Sequence, residues 1–339
     1  MTIARSQIIA LDSTPYYHCV SRCVRRAFLC GTDSVTGQSF DHRKQWILDR
    51  LGVLTDVFAI DICAYALMSN HYHLVLRVDR ERVEAMSDYE VLGRWNLLFS
   101  GNPLIKMFLA GNELSSLQSQ MLADLVRDIR PRLYDISWFM RCLNEWIARQ
   151  ANKEDGCKGR FWEGRFRTQA LLDEYGLLTC MAYVDLNAIR AGIADSPEHS
   201  EFSSIQARIR AWGDVLGEEA AAQCPPLLGF NDCGTDDTLL PFTTVDYMEL
   251  VDWTERNVRL DKACAMDEDA PPILVRMGID CERFAKQMRG EGGSFPIFMG
   301  AYHCLRDAAR ERGLHYVRGS GTARRLFCGE FASRVMVVV

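Results

Sequence analysis

Two histidines one residue apart open the segment Asn70-His71-Tyr72-His73, which continues Leu-Val-Leu. Side chains alternate along an extended strand, so His71 and His73 point to one face and Tyr72 and Leu74 to the other. Two imidazoles on one face can hold a single divalent cation, each through one ring nitrogen. Taken alone, the pair fits two surface histidines on an exposed sheet face equally well. A second group falls in a helix expected over 174–190. There Tyr183, Asn187 and Arg190 share a stripe with Gly176 and Thr179, while Leu177, Met181, Val184 and Ala188 form an apolar one. Tyr183 and Asn187 are one turn apart and so neighbours in space. A phenol beside a carboxamide, on a face of small and hydroxyl residues, suits a reactive site. By itself the helix is more simply read as carrying a half-exposed tyrosine, and Asp185 and Leu186 fit neither stripe. The third group is Lys158-Gly159-Arg160-Phe161-Trp162-Glu163-Gly164-Arg165-Phe166-Arg167. Alternation puts Arg160, Trp162, Gly164 and Phe166 on one face and Phe161, Glu163, Arg165 and Arg167 on the other. Guanidinium groups pair with phosphates and aromatic rings stack on bases, so the composition suits single-stranded nucleic acid. An amphipathic strand with a solvated basic side is the alternative.

The elements that must position these groups can be read around them. Residues 16–23 form a strand after the turn at Thr14-Pro15, and Gly31 to Gly37 a loop. Residues 41–53 form a helix with Trp46, Ile47, Leu48 and Leu51 toward a core. The apolar run 57–68, the tight connection Met68-Ser69-Asn70 and a strand 71–78 make a hairpin. The stretch 80–130 is helical, broken at Gly101-Asn102-Pro103 and at Gly111-Asn112. Asp135 caps a helix over 136–152. Gly156 and Gly159 frame a turn into a strand from Arg160 to Leu172, and Asp173 caps the 174–190 helix, which Gly192 ends. Strand–helix–strand–strand–helices–strand–helix is the split βαβ order of a ferredoxin-like α+β domain carrying a helical insertion. The expected organisation is a catalytic domain over 1–211, an acidic linker or surface excursion over 212–243, and a mainly helical region over 244–339.

Composition narrows the class. Apolar residues make up 48% and charged residues 25% of 339, which is ordinary for a globular chain and excludes a disordered one. No run approaches the ~20 apolar residues of a bilayer span, and the first residues are too weak for a signal peptide, so a cytoplasmic protein with no membrane partner is expected. The thirteen cysteines are odd in number and scattered, with Cys19-x-x-x-Cys23 the nearest approach to a pair, and read as small buried hydrophobes. The net charge of −6 conceals a division: 25 basic and 25 acidic residues in 1–211, 3 and 14 in 212–270, and 11 and 6 in 271–339. A locally basic surface attracts phosphate whatever the total charge.

Five segments in order carry a resemblance to a known family. They are Tyr17-His18-Cys19-Val20-Ser21-Arg22, His42-Arg43-Lys44-Gln45-Trp46-Ile47, Ala66-Leu67-Met68-Ser69-Asn70-His71-Tyr72-His73-Leu74, Gly159-Arg160-Phe161-Trp162-Glu163-Gly164-Arg165-Phe166, and Ala182-Tyr183-Val184-Asp185-Leu186-Asn187-Ala188-Ile189-Arg190-Ala191-Gly192. Over its first ~210 residues the chain resembles the REP-associated tyrosine transposases, a group of HUH-type single-strand transposases. The resemblance implies a ferredoxin-like domain that cuts single-stranded DNA, often at a hairpin, with His71 and His73 as the histidine pair, Tyr183 as nucleophile and Asn187 completing a metal site. It departs from the family at Asn187-Ala188, where Asn-Pro is usual. Mixed imidazole and amide ligands suit Mg²⁺ or Mn²⁺, which would polarise the scissile phosphate for attack by Tyr183 and leave a 5′-phosphotyrosine. Candidate DNA contacts are Arg22, Lys158, Arg160, Trp162, Arg165 and Arg190. A DNA-binding regulator without turnover and a metal-dependent hydrolase acting through water remain alternatives. The sequence leaves monomer and homodimer open.

Overall fold

The computed structural model describes residues 8–24, 29–31, 37–212, 224–259, 270–289, 296–314, 317 and 320–326. Parts of the loop expected at 31–37, of the linker at 212–243 and of the C-terminal region lie outside the described residues. In chain order the first elements are β1 (Tyr16–Arg22), α1 (His42–Val57), β2 (Ile60–Leu67) and β3 (His71–Val78). Helices α2 (Arg80–Glu84), α3 (Asp88–Leu98), α4 (Pro103–Leu109), α5 (Ser116–Ile129) and α6 (Ile136–Glu154) follow. Then come β4 (Arg167–Leu171), α7 (Glu174–Asp185), α8 (Asn187–Arg190) and α9 (Ser204–Trp212). The C-terminal part holds α10 (Thr244–Arg259), α11 (Pro272–Arg276), α12 (Cys281–Met288), β5 (Phe298–Met299), α13 (Tyr302–Glu311) and α14 (Ser320–Leu326).

The chain is of mixed α/β character, built on one mixed sheet in the order β2-β3-β1-β4-β5. β3 is antiparallel to both β1 and β2, so β1 and β2 run parallel with β3 between them. β4 is antiparallel to β1, and the short β5 adds to it in parallel. Register sets the two faces. Cys19 lies opposite Leu74, and Val20 opposite His73. The face holding Tyr17, Cys19, Tyr72, Leu74 and Leu76 is fully buried in a cluster with Ile47, Leu51 and Leu54 of α1 and Phe139, Leu143 and Ile147 of α6. Each such aliphatic side chain contributes roughly 1.5–3 kcal/mol by leaving water. The other face, with Ala64, Ala66, Val75 and Leu171, meets Leu177, Leu178, Met181 and Val184 of α7, and beyond them Tyr247, Leu250 and Phe284 of the C-terminal helices.

Local chemistry sets several boundaries. Ser87 and Ser115 each form a capping box, with Glu90 and Gln118. The side chains of Asp135 and Asp173 accept the backbone N–H groups of Ser137 and Gly176, starting α6 and α7. Two expectations need correction. The strand expected from Arg160 to Leu172 covers only Arg167–Leu171; residues 160–166 form a loop with a single bridge, Cys23 to Trp162. The helix expected over 174–190 breaks at Leu186 into α7 and α8. The break coincides with the buried Asp185, whose carboxylate accepts the Ser204 and Tyr247 hydroxyls. Among the described residues, no helix is long and apolar enough to cross a membrane.

Candidate active site

The pairing register puts His71 and His73 on the sheet face that α7 covers, and strand alternation sends Tyr72 and Leu74 into the opposite core. The two imidazole rings lie edge to face, 4.9 Å between centres. His73 is buried and His71 partly so. α7 packs across β2 and β3 through its apolar side chains, and this brings Tyr183 over the histidines. The Tyr183 ring stands edge-on to the His73 ring, 6.0 Å between centres. The Arg190 guanidinium carbon, on α8, lies 4.0 Å from the centre of the Tyr183 ring. Nε and Nη1 of Arg190 are buried and have no hydrogen-bond partner. A buried cationic donor without an acceptor is costly, so this guanidinium is configured for an anion. Asn187 sits one turn beyond Tyr183, buried, and its Nδ2 also has no partner.

The electrostatics favour uncharged imidazoles. Burial pushes His73 well below the ordinary histidine range, helped by His18, His71 and the Arg190 charge. Burial, then the Arg22 charge, lowers His71 as well. Neutral imidazoles keep a ring lone pair for a metal. Among the described residues no three His, Cys, Asp or Glu side chains group as a metal site on their own. His71 and His73 share one sheet face, and Asn187 follows Tyr183, whose ring meets His73. Two uncharged rings and a carboxamide oxygen are donor types that Mg²⁺ or Mn²⁺ accepts.

The candidate DNA contacts divide. Arg22, Lys158 and Arg165 are exposed, and Arg22 approaches Glu163 at 4.0 Å. Arg160 is exposed but curls back to donate to the Trp162 carbonyl at 2.9 Å and to that of Glu163. Trp162 is turned inward, against the face-alternation expectation. Its Nε1 donates to the Asn144 carbonyl at 2.8 Å and its ring meets Tyr72 edge-on. Asn144, on α6, also accepts the Tyr72 hydroxyl at 2.7 Å and donates to Ser21 at 3.0 Å. The loop 161–163 lies beside residues 22–24, with Glu163 N–H bonded to the Arg22 carbonyl at 2.8 Å, and Arg22 itself pairs with His71 across β1 and β3.

Gly176 does not line the site: it is buried, and a Cβ on it would lie 2.5 Å from the Met299 carbonyl oxygen, so the glycine admits the β5 segment. Sequence reasoning gave no role to His18 and overlooked Gln169. His18 Nε2 lies 2.9 Å from His73 Nδ1, and His18 Nδ1 lies 3.2 Å from Gln169 Oε1. The available signal was a lone histidine in register with the His71-x-His73 face, two strands being antiparallel neighbours.

Among known proteins, no family model matches this chain. No curated protein matches it either. A solved structure of a REP-associated tyrosine transposase bound to a REP hairpin is similar at a TM-score of 0.34 and 12% identity, over 59% of this chain and 81% of that one. A likeness of that degree is a distant resemblance of fold and carries nothing about chemistry.

Proposed function

We propose that this chain is a transposase-like enzyme of the REP-associated tyrosine type, cutting and rejoining single-stranded DNA through Tyr183. The observation that carries the reading is the Arg190 guanidinium stacked on Tyr183, its Nε and Nη1 without hydrogen-bond partners, with Tyr183 itself edge-on to His73. A phenol can act as nucleophile, a guanidinium can stabilise charge on a phosphate, and uncharged imidazoles keep lone pairs for a cation. The strand order β4-β1-β3-β2, with two parallel pairs each split by an antiparallel strand, supports a ferredoxin-like core for it.

In the proposed step the Tyr183 oxygen bonds to the phosphorus of the scissile phosphodiester as the bond from phosphorus to the 3′ oxygen breaks. The phenolic proton is lost and the leaving 3′ oxygen ends as a hydroxyl. One phosphate ester replaces another, so the same residues can run the reverse attack and join a new 3′ end without a nucleotide triphosphate. Arg190 binds a non-bridging oxygen and holds the phenol ring in place. His71, His73 and Asn187 would hold a divalent Mg²⁺ or Mn²⁺, whose chemistry is to polarise the phosphate and stabilise charge on the leaving oxygen. Arg22 lies beside His71, and with the exposed Lys158 and Arg165 it would follow a DNA backbone.

The test is incubation with labelled single-stranded hairpins from the protein's own genomic flanks and Mn²⁺. A covalent protein–DNA species with a free 3′-hydroxyl fragment is expected. Cleavage without an adduct would favour a water-using hydrolase, and tight binding without cleavage a DNA-binding regulator.

A further inference from the structure

We infer that His18 is a positioning residue for His73, fixing that ring as the tautomer protonated at Nδ1 and leaving its Nε2 lone pair to face a divalent cation. The cation is the one in the proposed function above, and the inference rests on that reading for its purpose but not for its geometry.

Hydrogen-bond bookkeeping runs from one fixed end. Gln169 Nε2 donates to the Pro296 carbonyl, which can only accept. That orients the amide and leaves its oxygen toward His18 Nδ1 at 3.2 Å, so the His18 proton sits on Nδ1. His18 is buried, where a second, charge-bearing proton on the ring is disfavoured. Its Nε2 is then an acceptor, and the 2.9 Å contact to His73 Nδ1 makes that nitrogen the donor. The two rings lie nearly parallel, 11° apart and 5.1 Å between centres, so the pair is also packed against rotation. His73 Nε2 has no hydrogen-bond partner among the described residues. At His71 the same outcome arises locally, because its Nδ1 lies 2.6 Å from Asn70 Oδ1. The two histidines of the motif thus carry their protons on Nδ1 for different reasons. His71 relies on its sequence neighbour, and His73 on a chain across β1 and β4 that ends in the C-terminal region. Outer groups of this kind set ligand orientation and basicity, and their loss typically costs ~10–100-fold in metal affinity.

Two readouts on the full chain test this, neither of them activity. Long-range ¹H–¹⁵N spectra of metal-free protein are expected to show His73 protonated at Nδ1. His18→Phe keeps the ring volume but removes the acceptor, and should move His73 toward the Nε2-protonated form and weaken Mn²⁺ binding ~10–100-fold by electron paramagnetic resonance titration. His18→Gln sets an amide oxygen where Nε2 lies and should keep both the tautomer and the affinity within a few-fold. An Nε2-protonated His73 in the wild-type protein, or a His73 tautomer indifferent to His18→Phe in a protein that keeps its circular dichroism, would overturn the inference. A tautomer that follows His18 in a protein that takes up no Mn²⁺ would keep the positioning role and overturn the metal-site reading.

Discussion

The two faces of the sheet come from the same strands and differ in what they bury. One holds Tyr17, Cys19, Tyr72, Leu74 and Leu76 against α1 and α6, and its tyrosine hydroxyls are satisfied, Tyr72 by Asn144 and Tyr17 by the Thr14 carbonyl. The other buries His18, His73 and Gln169 beneath α7, with Asn187 and Arg190 nearby holding unpartnered donors. Polar groups that cost stability and find no partner within the chain are expected where a ligand completes them. The first face is apolar at its centre, and the second sets buried polar side chains beside an apolar core of its own.

That contrast can be broken in graded steps. His71→Ala, on the face that α7 covers and partly exposed, should lower DNA cleavage by roughly 10³-fold, a barrier raised by about 4 kcal/mol. Its melting temperature should stay near the wild-type value; a large drop would mean that the histidine is structural. Leu74→Ala, one strand position beyond His73 on the opposite face, should reverse the pattern. It should cost about 2–5 kcal/mol in urea unfolding, with cleavage intact at low temperature. The acid limb of stability separates the faces again. Burial lowers His18 from 6.5 to about 4, so between those values the unfolded chain holds a proton that the folded chain lacks. Stability from this group is complete above about pH 6.5 and is lost as pH falls, about 3 kcal/mol by pH 4. His18→Gln has no proton to gain and should flatten that limb in a pH series of unfolding curves; an identical slope would contradict the buried neutral ring. Gly176→Ala, where the C-terminal segment meets α7, should cost about 1–3 kcal/mol, because the added methyl meets backbone rather than a movable side chain. An unchanged melting temperature would show that β5 does not press on this helix.

Much of this was legible in the sequence where period and position agree. The hairpin 60–78 could be read from an apolar run, a short connection and an alternating strand, and the caps at Asp135 and Asp173 from their residue types. Helical period put Tyr183 and Arg190 on one stripe, whereas the closeness of Tyr183 to His73 was implied by the family resemblance. Alternation failed at 160–166 because that segment has no continuous strand partner, so Trp162 turns into the packing around Tyr72. Gly176 was assigned to a reactive stripe because helical period shows only which residues share a face. It does not show what covers that face, and here the β5 segment does. The His18–Gln169 chain joins residues far apart in sequence, so only the pairing register reveals it.

The central claim is that Tyr183 is the nucleophile. The direct measurement is mass spectrometry of peptides from protein incubated with a single-stranded hairpin substrate and Mn²⁺, alongside Tyr183→Phe, which lacks only the phenolic oxygen. The expected result is a nucleotide phosphate attached to Tyr183 in the wild-type protein, and neither adduct nor cleavage in a variant that still binds DNA. An adduct on another residue, or undiminished cleavage by Tyr183→Phe, would contradict it.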